Sequence, residues 1–264
     1  MLADGRLMRR RRRLVQIVYD LASQPWDRLR ILDLGSLDGS IALEFARRGA
    51  EVVGIEVRAA SVLAARAEQE RLQIKNATFF QDDVRNLSKQ KYGTFDVVLC
   101  AGILYHLNAP DVFVFLENIA EVCTGFALID THVAISAEAA VTYKGRRYTG
   151  WNYREFPAGT PPDKIDSSLW ASSGNHESFW PTPESLLSAL ATAGFTSVYE
   201  CHYPVVLDGS SDRVAVVATR RPRQNLISQP VPEACLNELI PEEPLPLSPA
   251  QQEYQEQKAR TLGR

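Results

Sequence analysis

The stretch ILDLGSLDG, Ile31 to Gly39, decides the fold of this chain. A short apolar strand, Arg30–Leu34, opens into a turn bounded by two glycines, and a helical pattern, Ile41–Arg48, follows. Gly35 lets the backbone turn sharply off the strand, and Gly39 permits close approach where the helix begins. Glu56 stands at the end of the next strand, Glu51–Ile55, roughly twenty residues on, where an acid accepts hydrogen bonds from both hydroxyls of a ribose. Asp33, just before the turn, discriminates between ligands. A carboxylate there repels a pyrophosphate and attracts the ammonium of an amino-acid tail, directly or through water. The ligand implied is an adenosine carrying a cationic amino acid, rather than a dinucleotide.

Working outward, Ser61–Leu72 reads as a helix, Thr78–Phe80 as a third strand and FDVVLC, Phe95–Cys100, as a fourth. A helix over Asp111–Val122 and a strand over Phe126–Ile129 follow. Strands alternating with helices at this spacing predict an α/β fold with a doubly wound, mostly parallel, seven-stranded sheet. Ligands of such sheets bind outside the carboxyl ends of the strands, so function is sought in the loops after each strand. Thr182-Pro183 starts a helix and Gly194 stops it. Val198–Tyr203 and Arg213–Thr219 close the sheet; a pair joined by the short Asp208-Gly209 region is antiparallel.

The predicted organisation is a basic arm and helix over 1–29, a ligand-binding domain over 30–221 and a Pro/Gln-rich tail over 222–264. An insertion at about 136–181 carries Tyr143, Tyr148, Trp151, Tyr153, Phe156, Trp170, Phe179 and Trp180. So aromatic a stretch packs, and a cap over the ligand edge is expected. The tail suits no packed unit; Ser248–Leu262 suits a polar helix capped by Ser248.

In 264 residues, 45% are hydrophobic and 23% charged, ordinary values for a globular enzyme. Arg9–Arg13 form a basic run that reads first as a solvated arm. Leu14, Ile17, Val18 and Leu21 then fall at helical spacing, with no cleavage site after them, so an amphipathic helix is expected in place of a signal peptide. No stretch approaches a membrane span. The four cysteines lack paired spacing, which favours a reduced, cytoplasmic setting. Nothing in the sequence speaks to oligomeric state.

Asp33-x-Gly35-x-x-x-Gly39, with Ser36 inside it, resembles motif I of the class I S-adenosylmethionine (SAM)-dependent methyltransferases, and Gly54–Glu56 resembles their motif II acid. Gln81–Leu87 is similar to their adenine loop, which implies that Asp83, or its neighbour Asp82, meets the exocyclic amine and Val84 the ring. Phe95–Leu107 resembles the fourth-strand motif, which places Cys100, Ala101 and Gly102 along the methionine portion. Leu37 stands where many members carry a third glycine, so a wider or differently shaped turn is expected. Residues 35–56, Leu104–Leu107 and Ser178–Phe195 resemble more closely a branch that includes a methyltransferase of the tRNA wobble uridine in the 5-oxyacetate pathway, together with relatives thought to act on small molecules. That tRNA enzyme uses carboxy-SAM. Nothing here marks a pocket for the extra carboxylate, so SAM, with S-adenosylhomocysteine (SAH) as product, is expected.

The resemblance implies methyl transfer to an oxygen, nitrogen or carbon nucleophile of a small-molecule acceptor. A net charge of −3 argues against a polyanionic substrate. Arg146, Arg147 and Arg154 keep tRNA modification, by methyl or carboxymethyl, as an alternative; a non-catalytic SAM-binding scaffold is another. His132 and His106 follow the fifth and fourth strands and are the candidate bases, because an imidazole takes a proton near neutral pH. Tyr105 is a pocket wall. Trp151, Tyr153, Trp170, Phe179 and Trp180 are candidate acceptor-stacking walls, though at least half belong to the cap's own core. Arg154 and Asn175 are candidates to orient a polar acceptor. No metal is expected, because Cys100, Ala101 and Gly102 stand where metal-dependent relatives place carboxylates.

Overall fold

The computed structural model describes residues 2–202 and 212–221, all within one compact unit, Met1–Arg223. Its main sheet holds β1 (Arg30–Leu34), β2 (Glu51–Glu56), β3 (Ala77–Gln81), β4 (Phe95–Ala101), β5 (Cys123–His132), β9 (Ser197–Glu200) and β10 (Arg213–Thr219) in the order β3-β2-β1-β4-β5-β10-β9. Among the described strands of this sheet, β10 alone runs against the others, antiparallel to β5 on one side and to β9 on the other. β1 and β4 bury nearly every residue, as parallel strands covered on both faces must.

The pleat sends alternate residues of each strand into two cores. Ile31, Val97, Leu99, Phe126 and Leu128 pack under α1 (Leu2–Leu21), α2 (Ser40–Ala46) and α3 (Ala59–Arg71). Leu32, Leu34, Val98, Cys100, Ala127 and Ile129 pack on the other face, under α5 (Asp111–Val122) and α7 (Pro183–Ala193). α7 starts and stops as its sequence predicts. The Thr182 hydroxyl accepts from the Ser185 N–H, and Gly194 ends the helix at φ 106°.

Three expectations are corrected. The basic run is no separate arm but lies inside α1, whose Leu14 and Val18 are fully buried in the first core as their helical spacing predicts. The last-but-one strand ends at Glu200, short of Tyr203. The cap, for which the sequence reading assigned no helix or strand, is an antiparallel sheet of β6 (Ala139–Tyr143), β7 (Arg146–Arg154) and β8 (Glu177–Pro181), with the short α6 (Pro162–Ser167) between the last two. Lys144 and Gly145 join β6 to β7 with φ of 47° and 76°, the pair of positive values that a two-residue hairpin of matching twist requires. Tyr148 and Phe179 anchor this sheet in the α5-side core. The Asp208-Gly209 connection, the 222–264 tail and its expected helix lie outside the described residues.

Candidate active site

The turn after β1 folds over the end of β2. The Gly35 and Ser36 N–H groups both donate to the Ile55 carbonyl, at 2.9 and 3.1 Å. Leu37 then takes a left-handed φ of 46°, and its N–H is held by Glu56 Oε2 at 3.2 Å. That accounts for the turn without its third glycine: a leucine accepts the strained backbone because a buried carboxylate fastens it. Gly39 has φ 72°, and any Cβ there meets Phe79 at 2.8 Å and Ala65 at 2.9 Å. Only glycine brings this helix start so close to β3 and α3.

Asp33 and Glu56 are both buried, and their sites differ in kind. Glu56 Oε1 accepts the Arg58 N–H at 2.9 Å and Oε2 the Leu37 N–H, which leaves each oxygen further lone pairs toward the cleft that Glu56 lines. Asp33 Oδ2 and the Ser36 hydroxyl are buried with no hydrogen-bond partner among the described residues, and both residues line a cleft. Burial, and then the charge of Glu56, push the Asp33 carboxyl up to about 7. A smaller, adjoining cleft is lined by Gly35, Leu37, Glu56, Asp83, Val84, Ala101, Gly102, Tyr105 and His106, and the two share Arg10, Gly35, Leu37, Ala101, Leu169 and Trp170. Orphaned buried polar groups beside a long cleft fit a nucleoside with a cationic tail.

Several expected residues divide on inspection. Asp83 lines the cleft with both oxygens accepting from Arg85, and Asp82, outside it, is engaged by Asn86, Lys91 and Tyr92; burial raises the Asp82 carboxyl, but those hydrogen bonds outweigh burial and hold it down to about 2. Cys100 is fully buried beneath the site, where burial pushes its thiol up, and the cleft wall starts at Ala101. Tyr105 packs between His106 and His132, with Trp180 against it. Trp170 is 67% exposed at the mouth of both clefts, and Asn175 lines the smaller. Tyr153 stacks on Trp180 and Trp151 meets it edge-on, but neither lines these two clefts; nor does Arg154, which is exposed opposite Glu177. Phe179 is corrected: it is 1% exposed, packs on Phe113 and belongs to the core.

The two histidines have different surroundings. His132 and Arg213 are register partners on β5 and β10. Arg213 Nη1 donates to His132 Nε2 at 3.0 Å, and Nδ1 meets Asp212 at 3.0 Å, so both ring nitrogens are engaged. Burial, and then Arg213, lower its basicity. His106 offers Nδ1 to Glu155 at 2.9 Å and lines the smaller cleft.

The sequence reading missed Arg10, Arg58, Asp130, Glu155 and Arg213. Asp130 lies near the carboxyl end of β5 and is 3% exposed; Arg10 Nε reaches it at 3.2 Å and Arg213 Nε at 2.6 Å. Arg10 Nη2 is buried with no partner among the described residues, and a Cβ on Gly102 comes within 2.8 Å of it. A signal for Arg10 existed: it precedes Leu14 by four residues, on the apolar face of its helix. Arg58 donates to the Ser168 and Ala171 carbonyls at 2.7 and 2.8 Å, tying the Leu169–Trp170 segment of the cap over the Glu56 side. That contact spans more than a hundred residues and has no local signature.

Residues 31–125 match the family profile described as "Methyltransferase domain". The chain is similar to the ubiquinone biosynthesis O-methyltransferase of Acinetobacter baylyi, 35% identical over 81 residues, which is 31% of this chain and 34% of that protein. The similarity thus spans about a third of such relatives. The SAH-bound N-terminal domain of EvdMO1 is 28% identical with a TM-score of 0.60, covering 77% of this chain and 84% of that one. A putative O-methyltransferase of Nostoc punctiforme shares the fold at 17% identity and a TM-score of 0.54, covering 83% of this chain and 56% of its own. With the sheet order, the glycine turn and the paired buried acids already in place, residues 31–125 are similar to a methyltransferase domain, set in a sheet that this chain shares with the SAH-bound N-terminal domain of EvdMO1.

Proposed function

We propose that the chain binds SAM in the paired clefts and transfers its methyl group to a nucleophile of a small-molecule acceptor. The observation that carries this reading is the buried, unpartnered Asp33 oxygen at the β1 turn, flanked by Glu56. Bound there, SAM would supply an electrophilic methyl on a sulfonium, open to an acceptor lone pair while the carbon–sulfur pair stays on sulfur, with SAH as the product. Glu56 takes the ribose hydroxyls, Asp83 with the Val84 amide takes the adenine edge, and Asp33 with Ser36 takes the amino-acid ammonium. Arg10, through its orphaned Nη2, takes the carboxylate. Ala101 and Gly102 line the methionine portion, while Tyr105, Trp170 and Asn175 face the acceptor. The protein's own contribution is orientation, worth about 7–11 kcal/mol in well-placed reactions.

Calorimetry with SAM and SAH against NADH tests the cofactor, and pH sharpens the test. Asp33 is neutral below about 7 and anionic above it. A cationic ligand favours the anion, so SAM affinity rises as pH passes upward through that value, with proton release on the acid side. Asp33→Asn flattens this rise. For stability the sign is opposite: the folded value lies above the unfolded 3.8, so the contribution of this group is present at low pH and lost as pH rises through about 7. Absence of SAM and SAH binding at millimolar ligand sinks the proposal.

Arg10→Met weakens SAH about tenfold, as loss of a charge-assisted hydrogen bond does, and spares 5′-methylthioadenosine, which lacks the amino-acid tail. Equal losses for the two ligands remove Arg10 from the carboxylate role. The acceptor is read as a small molecule, as befits the near-neutral chain. The cap arginines Arg146, Arg147 and Arg154 sustain the tRNA alternative, which predicts steeply salt-dependent tRNA binding.

A further inference from the structure

We propose that Glu155, a buried carboxylate contributed by the cap, positions His106 as the base that takes the proton of a hydroxyl acceptor, so that the substrate is an alcohol or a phenol. This rests on the SAM-dependent reading above and adds to it a positioning residue and an acceptor chemistry.

Glu155 directly follows β7, and its side chain is 2% exposed. A carboxylate so deeply placed survives only with its oxygens satisfied. Oε1 accepts from the Ser178 hydroxyl at 2.5 Å and faces His106 Nδ1 at 2.9 Å; Oε2 accepts the Ser172 N–H at 3.1 Å. Burial works to raise its pKa, but the hydrogen bonds from His106, Ser178 and Ser172 outweigh burial and hold it below the usual range. Glu155 is therefore ionised at neutral pH and offers only lone pairs. The shared proton sits on His106 Nδ1, and the lone pair sits on Nε2 of a ring that lines the cleft beside Gly102 and Tyr105. His132 lacks this freedom, because Arg213 already occupies its Nε2. Ser172 and Ser178 both belong to the cap, so the pair is complete only with the cap seated.

The chemistry selects the acceptor. An aromatic amine, uncharged near neutral pH, attacks with its own lone pair and loses a proton afterwards without help. A neutral alcohol or phenol becomes a stable ether only by giving up its proton. The O–H pair remains on oxygen as the new O–C bond forms, and the proton passes to Nε2. His106 is then an imidazolium against the Glu155 anion, and it returns to its starting state by losing that proton to water.

Long-range proton–nitrogen NMR of the full chain at about pH 8, where an ordinary imidazole is neutral, reads the tautomer directly. The expected result is Nδ1–H at His106, shifting toward Nε2–H in Glu155→Gln. Carbethoxylation mapped by peptide mass spectrometry is expected to label His106 at Nε2, about tenfold more slowly in Glu155→Gln. SAH binding stays within about threefold in that variant, less than half a decade, which separates this inference from failure of the cofactor reading. With labelled SAM and catechol set against o-phenylenediamine as probes, label enters catechol, and Glu155→Gln lowers that product by roughly a hundredfold. A wild-type His106 in the Nε2–H form, an unlabelled His106, or label in the diamine alone overturns the proposal. The tautomer measurement on the wild type needs no variant to fold.

Discussion

Glu56→Gln weakens SAH by roughly 10- to 100-fold, the equivalent of about 1.5–3 kcal/mol for a hydrogen bond to a charged group. The substitution keeps size and shape, so the loss reports chemistry. An amide presents one oxygen and one NH₂, while Glu56 has Leu37 N–H on one oxygen and Arg58 N–H on the other. Whichever way the substituted amide turns, its NH₂ faces a backbone N–H. The left-handed Leu37 turn then loses its fastening, and ribose hydroxyls lose an acceptor. SAM and SAH should weaken together, because the ribose is common to both. Titration calorimetry reads the result, with thermal unfolding to separate it from general destabilisation. SAH affinity within twofold of wild type would remove Glu56 from the ribose role.

Phe179→Ala costs about 3–5 kcal/mol of stability, the usual loss for a buried phenylalanine, and lowers the unfolding midpoint by roughly 6–20 °C. Phe179 is 1% exposed, faces Phe113 at 5.9 Å between ring centroids, and its N–H is bonded to the Leu107 carbonyl at 2.8 Å. Its ring therefore joins the cap sheet to the α5-side core, and its removal leaves a cavity there. Trp170→Ala, at 67% exposure, leaves the midpoint almost unchanged and acts on ligand binding instead. Denaturant melts of the two variants side by side decide the matter; equal midpoints would return Phe179 to the pocket wall.

These two aromatics show where sequence reasoning stops. Both sit in the same aromatic-rich segment, and no local pattern distinguishes a core ring from a mouth ring. The strand–turn–helix at Ile31–Arg48 was legible because its information is local: apolar strand, glycines at the bend and an acid after the following strand. The antiparallel closing pair was legible for the same reason, as two successive apolar runs on either side of Asp208-Gly209. The Lys144-Gly145 hairpin was legible in principle, yet the surrounding aromatics concealed it.

Sequence by itself determined the sheet, the carboxyl edge at which the clefts lie and the placement of Asp33 and Glu56 beside them, because β-strand period, turn chemistry and helix caps act over a few residues. Only the tertiary structure decided which charges meet at that edge. Arg10 reaches Asp130 across 120 positions, and His106 reaches Glu155 across 49. Those pairings arise when helix, sheet and cap are packed together, and burial then decides whether each charge is shared, neutralised or left to hold a ligand.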